Sequence, residues 1–313
     1  MSHKSARSRA ASKLRFFCIV NDRSGTAGKS AVTRLGELFA KHGITPQFLE
    51  PEQGISITEI AQRAIRERYD VIIAAGGDGT VNAVASTLVG SGKSLGIIAM
   101  GTLNHFARDL GIPTGIEAAV AIIAAGRVKA VDVGDVNGRI FVNNSGLGLY
   151  PAVVRMRETL QRSGYRKWPA FIWASLVMFA RFRRLRLDLH PVAGSALQRT
   201  TPVLFIGNNT YDTGWTELGT RAALDRGRLW VMMSTATTRL GLLASAFAIL
   251  GGREQAADVT TFEVVDLIVS SRRRYVTVAA DGEVFQLRSP LNYRILPTAL
   301  RVIVPGNGPP HAK

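Results

Sequence analysis

The sequence predicts an α/β N-terminal domain built on a parallel sheet, followed by a second domain that is mostly β. Residues 14–140 alternate short apolar runs with segments of helical periodicity, as expected of a parallel sheet with helices on both faces. From about residue 130 the pattern changes to short runs of β-type residues. With 313 residues, of which 46% are hydrophobic, the chain is long enough to bury the cores of two domains.

Each predicted strand of the N-terminal domain is a short apolar run, and each predicted helix repeats apolar residues at intervals of three or four. Ile57, Ile60, Ala61, Ala64 and Ile65 form one such helical face. The predicted strands cover residues 14–20, 44–49, 71–75 and 95–100. The predicted helices cover residues 29–42, 56–68, 80–89, 104–109 and 116–125.

The second domain is predicted from a series of β-type runs with two helices, 155–182 and 238–250, between them. The predicted strands cover residues 130–136, 139–144, 185–190, 201–207, 228–234, 260–269, 275–280 and 283–288. The segment NNSGLG at 143–148 is expected to hold the backbone where the two domains meet. Its side chains Asn143, Asn144 and Ser145 are also candidates for contact with a substrate.

The formal net charge of +16 indicates an anionic partner. Residues 155–186 contain nine basic residues and one acidic residue, which is half of that net charge, and an aromatic, apolar stretch at 168–180 separates two basic clusters. This pattern is typical of a helix at the surface of an anionic bilayer; a buried helix with solvated ends explains it equally well. On the first interpretation, the membrane-surface residues are Arg166, Lys167, Trp168, Arg181, Arg183, Arg184 and Arg186.

Composition argues against several other classes of protein. The longest nearly uncharged apolar stretches, 168–180 and 240–250, are shorter than the roughly 18–20 residues that a membrane-spanning helix needs. Residues 1–13 are basic and serine-rich without an apolar segment, which favours a disordered tail over a transit peptide and argues against a secretory signal. The single Cys18 and the scattered histidines fit no zinc motif and indicate a reducing compartment. No nucleic-acid-binding motif accompanies the positive charge.

Three of the predicted parallel strands end in glycine-rich loops, NDRSGTAGK, GGDGT and GTLNHFA. Ligands of open α/β sheets bind at this end of the strands, and glycine lets backbone N–H groups approach phosphate oxygens. None of the loops has the Walker A or the GxGxxG pattern. Asp78 in GGDGT would repel a bare phosphate, so we expect a divalent metal that bridges it to a triphosphate. The alternative is that Asp78 caps the helix that follows it.

The motif GGDGTVNAV and the later motif GTLNHFARDLGIP together resemble the diacylglycerol kinase catalytic domain family. That family includes bacterial diacylglycerol and sphingosine kinase-like lipid kinases, and is more distantly related to NAD kinases and phosphofructokinases. The resemblance extends over nearly the whole chain, because further segments match in order and at similar spacing. These are NDRSG, VDVGDVNGRIFVNNSGLGLY at 131–150, LDRGRL at 224–229 and DGE at 281–283.

The resemblance implies an N-terminal domain like that of NAD kinase and phosphofructokinase, which holds ATP, and a C-terminal β-sandwich, which holds most of the lipid site. It also implies that the last strand returns to the first domain. The predicted organisation is a tail at 1–13, a nucleotide-binding domain at 14–140 with 291–305 returning to it, a lipid-substrate domain at 141–290, and a tail at 306–313.

The resemblance also assigns roles to individual residues. The nucleotide, bound as Mg²⁺–ATP, is expected to contact Asn21, Ser24, Gly25, Gly76, Gly77, Asp78, Gly79, Thr80, Gly101, Thr102 and Asn104. Asp78 is the expected metal contact. Asp281 and Glu283 match the DGE motif, in which a carboxylate acts as general base on the acceptor hydroxyl, and Asp-Gly at this point also predicts a hairpin turn.

Two residues depart from the pattern of the family. His105 stands where relatives carry an acidic residue linked to the metal, and an imidazole does not attract Mg²⁺ as a carboxylate does. Arg226 stands in Asp225-Arg226-Gly227 where relatives carry an aspartate that helps to bind a structural cation, and a guanidinium cannot ligate a metal. We therefore expect an altered metal arrangement, in which the guanidinium is a candidate to replace the structural cation.

The sequence as a whole predicts an ATP-dependent lipid kinase that acts on a diacylglycerol-like or sphingoid hydroxyl. Its expected partners are the lipid substrate and an anionic membrane surface, with no nucleic acid, and a homodimer stays open. The expected location is cytoplasmic, with peripheral attachment to the membrane. The alternatives are a non-catalytic or weakly active lipid- or nucleotide-binding relative, which His105 and Arg226 bring into consideration, and a soluble enzyme of the NAD kinase type.

Overall fold

The computed structural model describes most of both predicted domains. The described residues are 14–21, 27–51, 55–152, 154–155, 184–192, 195–211, 220–221, 223–250 and 258–306. Most of the predicted helix at 155–182 lies outside these ranges. The predicted site residues that lie outside them are Ser24, Gly25, Arg166, Lys167, Trp168, Arg181 and Arg183.

Four parallel strands form one end of the larger sheet, in the order β2–β1–β3–β4. They are β1 (Phe16–Val20), β2 (Gln47–Leu49), β3 (Val71–Gly76) and β4 (Ser94–Ala99). The helices of this half are α1 (Ala27–Ala40), α2 (Ile57–Arg66), α3 (Asp78–Leu88), α4 (His105–Asp109) and α5 (Ile116–Ala125). Every residue of β3 and β4 is buried, as expected of parallel strands covered on both faces.

One long strand, β16 (Leu291–Ile303), connects the two halves of the molecule. Near its C-terminal end it pairs with β4 in parallel, and near its N-terminal end it pairs antiparallel with β13 (Asp266–Ser271). It also pairs with β5 (Val128–Val136), which in turn pairs with β6 (Arg139–Phe141). Beyond β13 the sheet continues through β8 (Leu185–Pro191) and β9 (Leu197–Thr201).

The second sheet is antiparallel, in the order β12–β11–β10–β7–β14–β15. Its strands are β7 (Asn144–Gly148), β10 (Val203–Asn208), β11 (Leu229–Ser234), β12 (Val259–Val264), β14 (Tyr275–Ala280) and β15 (Glu283–Arg288). Helix α6 (Arg239–Leu250) lies between β11 and β12 in the chain. One apolar core, which includes Leu147, Leu204, Leu267 and Val278, contains residues of both sheets. The predicted fold class, an α/β N-terminal domain followed by a β-sandwich, is confirmed.

Three details of the second domain differ from the prediction, and the first is β9, which lies before the strand predicted at 201–207. The run 260–269, predicted as one strand, is divided at Val265 into β12 and β13, which belong to different sheets. The buried positions change from even to odd numbers there, with Val264 buried in β12 and Leu267 and Val269 buried in β13, but apolar residues continue through the change and give the appearance of one strand. The segment 143–148 contains strand β7, in which Gly146 leaves room for the ring of Tyr150. Because glycine is depleted in strands, Gly146 and Gly148 conceal the extended conformation of this segment in the sequence.

Within the described part of the chain, no helix is both long enough and apolar enough to cross a membrane.

Candidate active site

The loop between β3 and α3 packs directly against the loop that follows β4. A Cβ atom at Gly76 would lie 2.7 Å from Thr80 Oγ1, and one at Gly101 would lie 2.8 Å from Gly77 Cα. A Cβ at Gly79, however, would meet nothing within 4 Å. Gly76 and Gly101 are therefore explained by packing within the protein. Gly79 lies at an open surface in the first turn of α3, where N–H groups can bind an anion.

Asp78 joins these two loops through the main chain of the second. Its Oδ2 accepts a hydrogen bond from the Asn104 N–H at 2.9 Å, and its Oδ1 accepts one from the His105 N–H at 2.8 Å. These N–H groups begin α4, so the alternative that Asp78 caps the helix that it begins is wrong. The contact of His105 with Asp78 is a main-chain contact, which a residue of another type can also make.

Two asparagines flank this pair of loops. The Asn21 Nδ2 donates to Thr80 Oγ1 at 2.8 Å. Asn104 adopts a left-handed conformation with φ 49°; its Oδ1 accepts from the Gly101 N–H at 3.0 Å and its Nδ2 donates to the Gly101 carbonyl at 2.8 Å. The ends of β1, β3 and β4 thus bring together the described members of the predicted nucleotide site, namely Asn21, Gly76, Gly77, Asp78, Gly79, Thr80, Gly101, Thr102 and Asn104.

The DGE motif forms the turn between β14 and β15. Asp281 and Gly282 both have positive φ, 48° and 89°, as required in a type I′ hairpin turn. The Asp281 carboxylate points inward and accepts hydrogen bonds from the N–H groups of Val142 at 2.7 Å, Asn143 at 2.9 Å and Asn144 at 3.1 Å. The Glu283 side chain, at the start of β15, is exposed.

Burial of its carboxyl group raises the pKa of Asp281 from 3.8 to about 6, although the residue as a whole keeps partial contact with solvent. The three N–H groups and the positive charge of Arg221 oppose this increase. Desolvation therefore disfavours the charged form of Asp281, while the N–H groups of residues 142–144 fix the position of its carboxyl group.

The glycine-rich loop and the hairpin meet where the two domains join. Asn82, one turn into α3 from Asp78, points its Nδ2 at the Asp281 carbonyl oxygen, with 3.4 Å between the two atoms. The Oδ1 of Asn82 is buried and has no hydrogen-bond partner among the described residues. Two motifs that are about two hundred residues apart in the chain are thus neighbours in space.

A buried arginine connects the same two regions, and sequence reasoning missed it. Arg221 Nε lies 2.7 Å from Asp109 Oδ2 at the end of α4, and the exposed fractions of the two side chains are 0% and 2%. The Arg221 Nη1 donates to the Val142 carbonyl at 2.6 Å, and Nη2 donates to Asn143 Oδ1 at 2.8 Å. Arg221 therefore holds the peptide segment whose N–H groups bind Asp281. No local pattern around Arg221 distinguishes it from the many exposed arginines.

The charged form of Asp109 is disfavoured because its carboxylate is buried. Burial raises its pKa, and Arg221 opposes the increase. Its Oδ1 has no hydrogen-bond partner in the described ranges. Because an unpaired buried carboxylate is strongly unfavourable, the position of Arg221 depends on Asp109 and that of Asp109 depends on Arg221.

The other candidate side chains of the NNSGLG segment have structural contacts. Ser145 is fully buried, and its Oγ donates to the Ala279 carbonyl at 2.9 Å, so the expectation that it touches substrate is wrong. Asn143, also buried, accepts from Arg221, as described above. Asn144 Oδ1 accepts from the Tyr150 hydroxyl at 2.6 Å, and the Asn144 Nδ2 donates to the Tyr211 hydroxyl at 3.3 Å.

The Asp225-Arg226-Gly227 segment packs on a buried aspartate. Asp132 Oδ2 accepts from the Gly227 N–H at 2.7 Å, and its Oδ1 accepts from the Thr298 N–H at 2.9 Å. The Arg226 side chain is exposed, and Asp225 lies 2.9 Å from Lys129 Nζ in an ion pair at the surface. Main-chain N–H groups thus satisfy the buried carboxylate here.

Asp78 can contact a metal ion that is also bound to phosphate, but, among the residues that the structure describes, it is not part of a site made of protein ligands alone. A carboxylate offers about four lone-pair positions, of which the Asn104 and His105 N–H groups use two. Mg²⁺ commonly binds one or two carboxylates and completes its shell with phosphate and water. No group of three His, Cys, Asp or Glu side chains within the described residues is arranged to hold a metal ion. The side chains present therefore fit Mg²⁺ that arrives with a nucleotide.

Comparison with known protein families identifies the class to which this architecture belongs. Residues 15–136 match the model of the diacylglycerol kinase catalytic domain, and residues 150–304 match the YegS C-terminal NAD kinase beta sandwich-like domain. Together the two matches account for most of the chain. The chain therefore contains a diacylglycerol kinase catalytic domain followed by a YegS-type C-terminal domain.

Individual relatives agree with this assignment. The chain is 33% identical over 169 residues to a diacylglycerol kinase of Staphylococcus aureus, and the match covers 53% of each protein. It therefore spans about half the length of the curated relatives of this group. A crystal structure of a putative diacylglycerol kinase from Bacillus anthracis has a TM-score of 0.74 at 21% identity, and covers 96% of this chain and 98% of that one.

A more distant structural neighbour supports the NAD kinase-like architecture. The crystal structure of an NAD kinase from Archaeoglobus fulgidus in complex with ATP has a TM-score of 0.52 at 11% identity. The similarity covers 92% of this chain and 93% of that one. At such low identities, these two structures establish the common fold alone.

Proposed function

We propose that this protein is an ATP-dependent lipid kinase. It transfers the γ-phosphoryl group to the hydroxyl of a diacylglycerol-like or sphingoid lipid, while attached peripherally to an anionic membrane at its cytoplasmic face. The observation that carries the proposal is the contact between Asn82 and the Asp281 carbonyl, which brings the GGDGT loop and the DGE hairpin to one junction. A phosphoryl donor and an alcohol must meet in line, and such a junction is a suitable place for both.

On the donor side, the loops after β1, β3 and β4 would hold the triphosphate. The open surface at Gly79 allows a phosphate to approach the first N–H groups of α3. Asp78 would hold Mg²⁺, which when bound supplies positive charge that neutralises the phosphate oxygens. Asn21 and Asn104 fix the walls of this region through Thr80 and Gly101.

On the acceptor side, Glu283 is the better candidate for the general base. Its carboxylate is exposed, whereas the Asp281 carboxylate is turned inward and occupied by three N–H groups. Asp281 instead fixes the turn, so that Glu283 follows it at a defined position on the first residue of β15. In the reaction, Glu283 would accept the proton of the lipid hydroxyl as that oxygen bonds to the γ-phosphorus, while the bond from this phosphorus to the β–γ bridging oxygen breaks and ADP leaves.

The test is transfer of labelled phosphate from ATP to a panel of lipids in vesicles, with and without Mg²⁺. We expect the wild-type protein to label at least one lipid with a free primary hydroxyl. Replacement of Glu283 by Gln should reduce kcat/KM by about 10²–10⁴-fold, since a general base contributes on that scale. Gln286→Ala is the matched control, because Gln286 is exposed on the same hairpin and carries no acid.

Two results would contradict the proposal. One is the absence of transfer to every lipid while NAD is phosphorylated, which would favour an enzyme of the NAD kinase type. The other is transfer that Glu283→Gln and Gln286→Ala reduce equally, which would remove Glu283 from the chemistry.

A further inference from the structure

A group of arginines that the proposed chemistry does not use lies along the β14–β15 hairpin. Three of them, Arg272, Arg273 and Arg274, are consecutive and exposed in the turn between β13 and β14. Arg288 is exposed at the end of β15, directly opposite Tyr275 in the ladder. Arg139, from the neighbouring strand β6, places its guanidinium 5.2 Å from the ring centre of Phe285. These five arginines with Tyr275 and Phe285 form what we call the hairpin edge.

The charge of the hairpin edge is not neutralised within the protein. None of its five arginines forms an ion pair with a carboxylate among the described residues. Exposed arginines elsewhere do, for example Arg63 with Glu67. Glu283 is the one acidic residue on β14 or β15, because the Asp281 carboxylate belongs to the turn between them and points inward. A surface of one sign without counter-charges is suited to a partner of the opposite sign.

Aromatic groups accompany the arginines, as at the interface of a membrane. Tyr275 is 52% exposed, and the Arg274 guanidinium lies 5.8 Å from its ring centre. Beside the turn is a cavity of about 490 Å³, whose lining includes Arg155, Arg273, Tyr275, Leu149 and Leu185. No Asp or Glu contributes to the described lining of this cavity. Cationic groups in the lining of a partly apolar cavity match the phosphate and the first carbons of a phospholipid.

The position of the hairpin edge allows it to act together with the active site. Strand β15 is at the margin of the six-stranded sheet, so the hairpin forms one edge of that sheet. Tyr275 and the turn at Asp281 are at opposite ends of β14, about 20 Å apart for six residues at about 3.3 Å each. In the ladder, Tyr275 and Arg288 face one side of the hairpin and Glu283 faces the other. A bilayer that contacts Tyr275 and Arg288 would therefore orient the protein without covering Glu283.

We propose that the hairpin edge docks on the surface of an anionic phospholipid bilayer, and that the cavity beside Arg273 receives the headgroup of one anionic phospholipid. This inference extends the proposed function, since it identifies the surface that orients the kinase on its lipid. It differs from the expected membrane segment around residues 166–186, and it concerns a site distinct from that of the acceptor hydroxyl.

The test is co-sedimentation of the full chain with vesicles of phosphatidylcholine, with and without phosphatidylglycerol. The variant R272Q/R273Q/R274Q is compared with R63Q/R66Q/R68Q, which removes the same charge from exposed arginines of the N-terminal domain. We expect the hairpin variant to lose at least about tenfold in partition into anionic vesicles, and the control to lose less than about twofold. Equal losses in both variants, or retained binding by the hairpin variant, would overturn the proposal.

Two further arms separate this inference from its competitors. The variant R181Q/R183Q/R184Q should keep most of the binding; loss of binding in that variant alone would assign docking to the other segment. Dihexanoyl phosphatidylglycerol, used as a monomer, should bind the wild type more weakly after Arg273→Gln, and inorganic phosphate should not compete with it. Competition by phosphate at equal concentration would make the cavity a simple anion site and contradict the lipid assignment.

Failure of this inference and failure of the proposed function are distinguishable. The hairpin variant should phosphorylate a short-chain diacylglycerol in free solution at the wild-type rate, since its three arginines are outside the catalytic residues. Vesicle binding without any kinase activity would leave the docking surface intact and contradict the proposed function alone.

Discussion

Asp78 in the N-terminal domain and Asp281 in the second domain use the same structural device to different ends. Each carboxylate accepts hydrogen bonds from N–H groups of another loop, two for Asp78 and three for Asp281. Asp78 lies in the first turn of a helix that faces an open surface, whereas burial raises the pKa of Asp281 to about 6. Asp78 is thus held in place with lone pairs left for a cation, whereas the hydrogen-bonding capacity of Asp281 serves to fix the acceptor turn.

The largest expected effect comes from breaking the connection between the two regions at Arg221. Replacement by Met leaves Asp109 buried without its partner, and the free energy of unfolding should fall by about 3–5 kcal/mol. Urea denaturation followed by circular dichroism measures this loss. The double variant Asp109→Asn/Arg221→Met should recover part of it, because no unpaired charge remains. No recovery in the double variant would mean that the cost arises from packing and not from charge.

Replacement of Asp78 by Asn sharpens the comparison at its donor end. The amide keeps an acceptor for one of the two N–H groups but lacks the negative charge that attracts a cation. We expect kcat/KM for phosphoryl transfer to fall by about 10²–10³-fold, the scale of a lost electrostatic contact in a transition state. An unchanged rate with an unchanged Mg²⁺ requirement would restrict Asp78 to joining the loops.

Replacement of Asp281 by Asn should act mainly on stability. Asn has a single acceptor oxygen and introduces a donor toward the Val142, Asn143 and Asn144 N–H groups. We expect the free energy of unfolding at pH 7 to fall by about 1–3 kcal/mol, as for other buried polar groups left without a partner. Chemical denaturation measures the change, with Gln286→Ala as the control on the same hairpin. A stable Asp281→Asn protein would show that the turn itself, and not the carboxylate, orders residues 142–144.

The smallest expected effect is the pH dependence that belongs to Asp281. Between about pH 4 and 6 the folded protein keeps this proton and the unfolded chain, with its pKa of 3.8, releases it. The folded state then binds more protons, so this group makes stability fall as the pH rises through that interval. The cost of Asp281→Asn should therefore be greater at pH 4.5 than at pH 7. A cost that grows with pH would contradict the raised pKa.

Much of the fold could be predicted because its signals are local. Apolar runs and helical periodicity locate β3, β4 and α2 well, and each of these elements buries the residues that its pattern indicates. The change of sheet at Val265 was not predicted because apolar residues continue through it, although the buried positions change from even to odd numbers at that point. The three-dimensional partner of an edge or a crossing strand is not a local property.

The candidate site shows the same division. Asp78 and Asp281 are prominent in the sequence because glycine lies beside them. The groups that they bind, however, are main-chain N–H groups, and since every residue except proline has one, the sequence does not indicate which of them a carboxylate binds. Arg221 and Asp109 are 112 positions apart, and one arginine among many gives no signal of burial. From the sequence, each glycine of these loops could serve either close packing or the approach of a phosphate. In the structure, Gly76 and Gly101 allow close packing, whereas Gly79 lies at an open surface.

The most direct test of the whole account is a crystal structure with Mg²⁺, a non-hydrolysable ATP analogue and a short-chain diacylglycerol. We predict the γ-phosphate at the first turn of α3, with the metal in contact with Asp78 and the lipid hydroxyl between that phosphate and Glu283. A triphosphate bound elsewhere, with Asp78 still hydrogen-bonded only to the main-chain N–H groups of Asn104 and His105, would contradict this prediction.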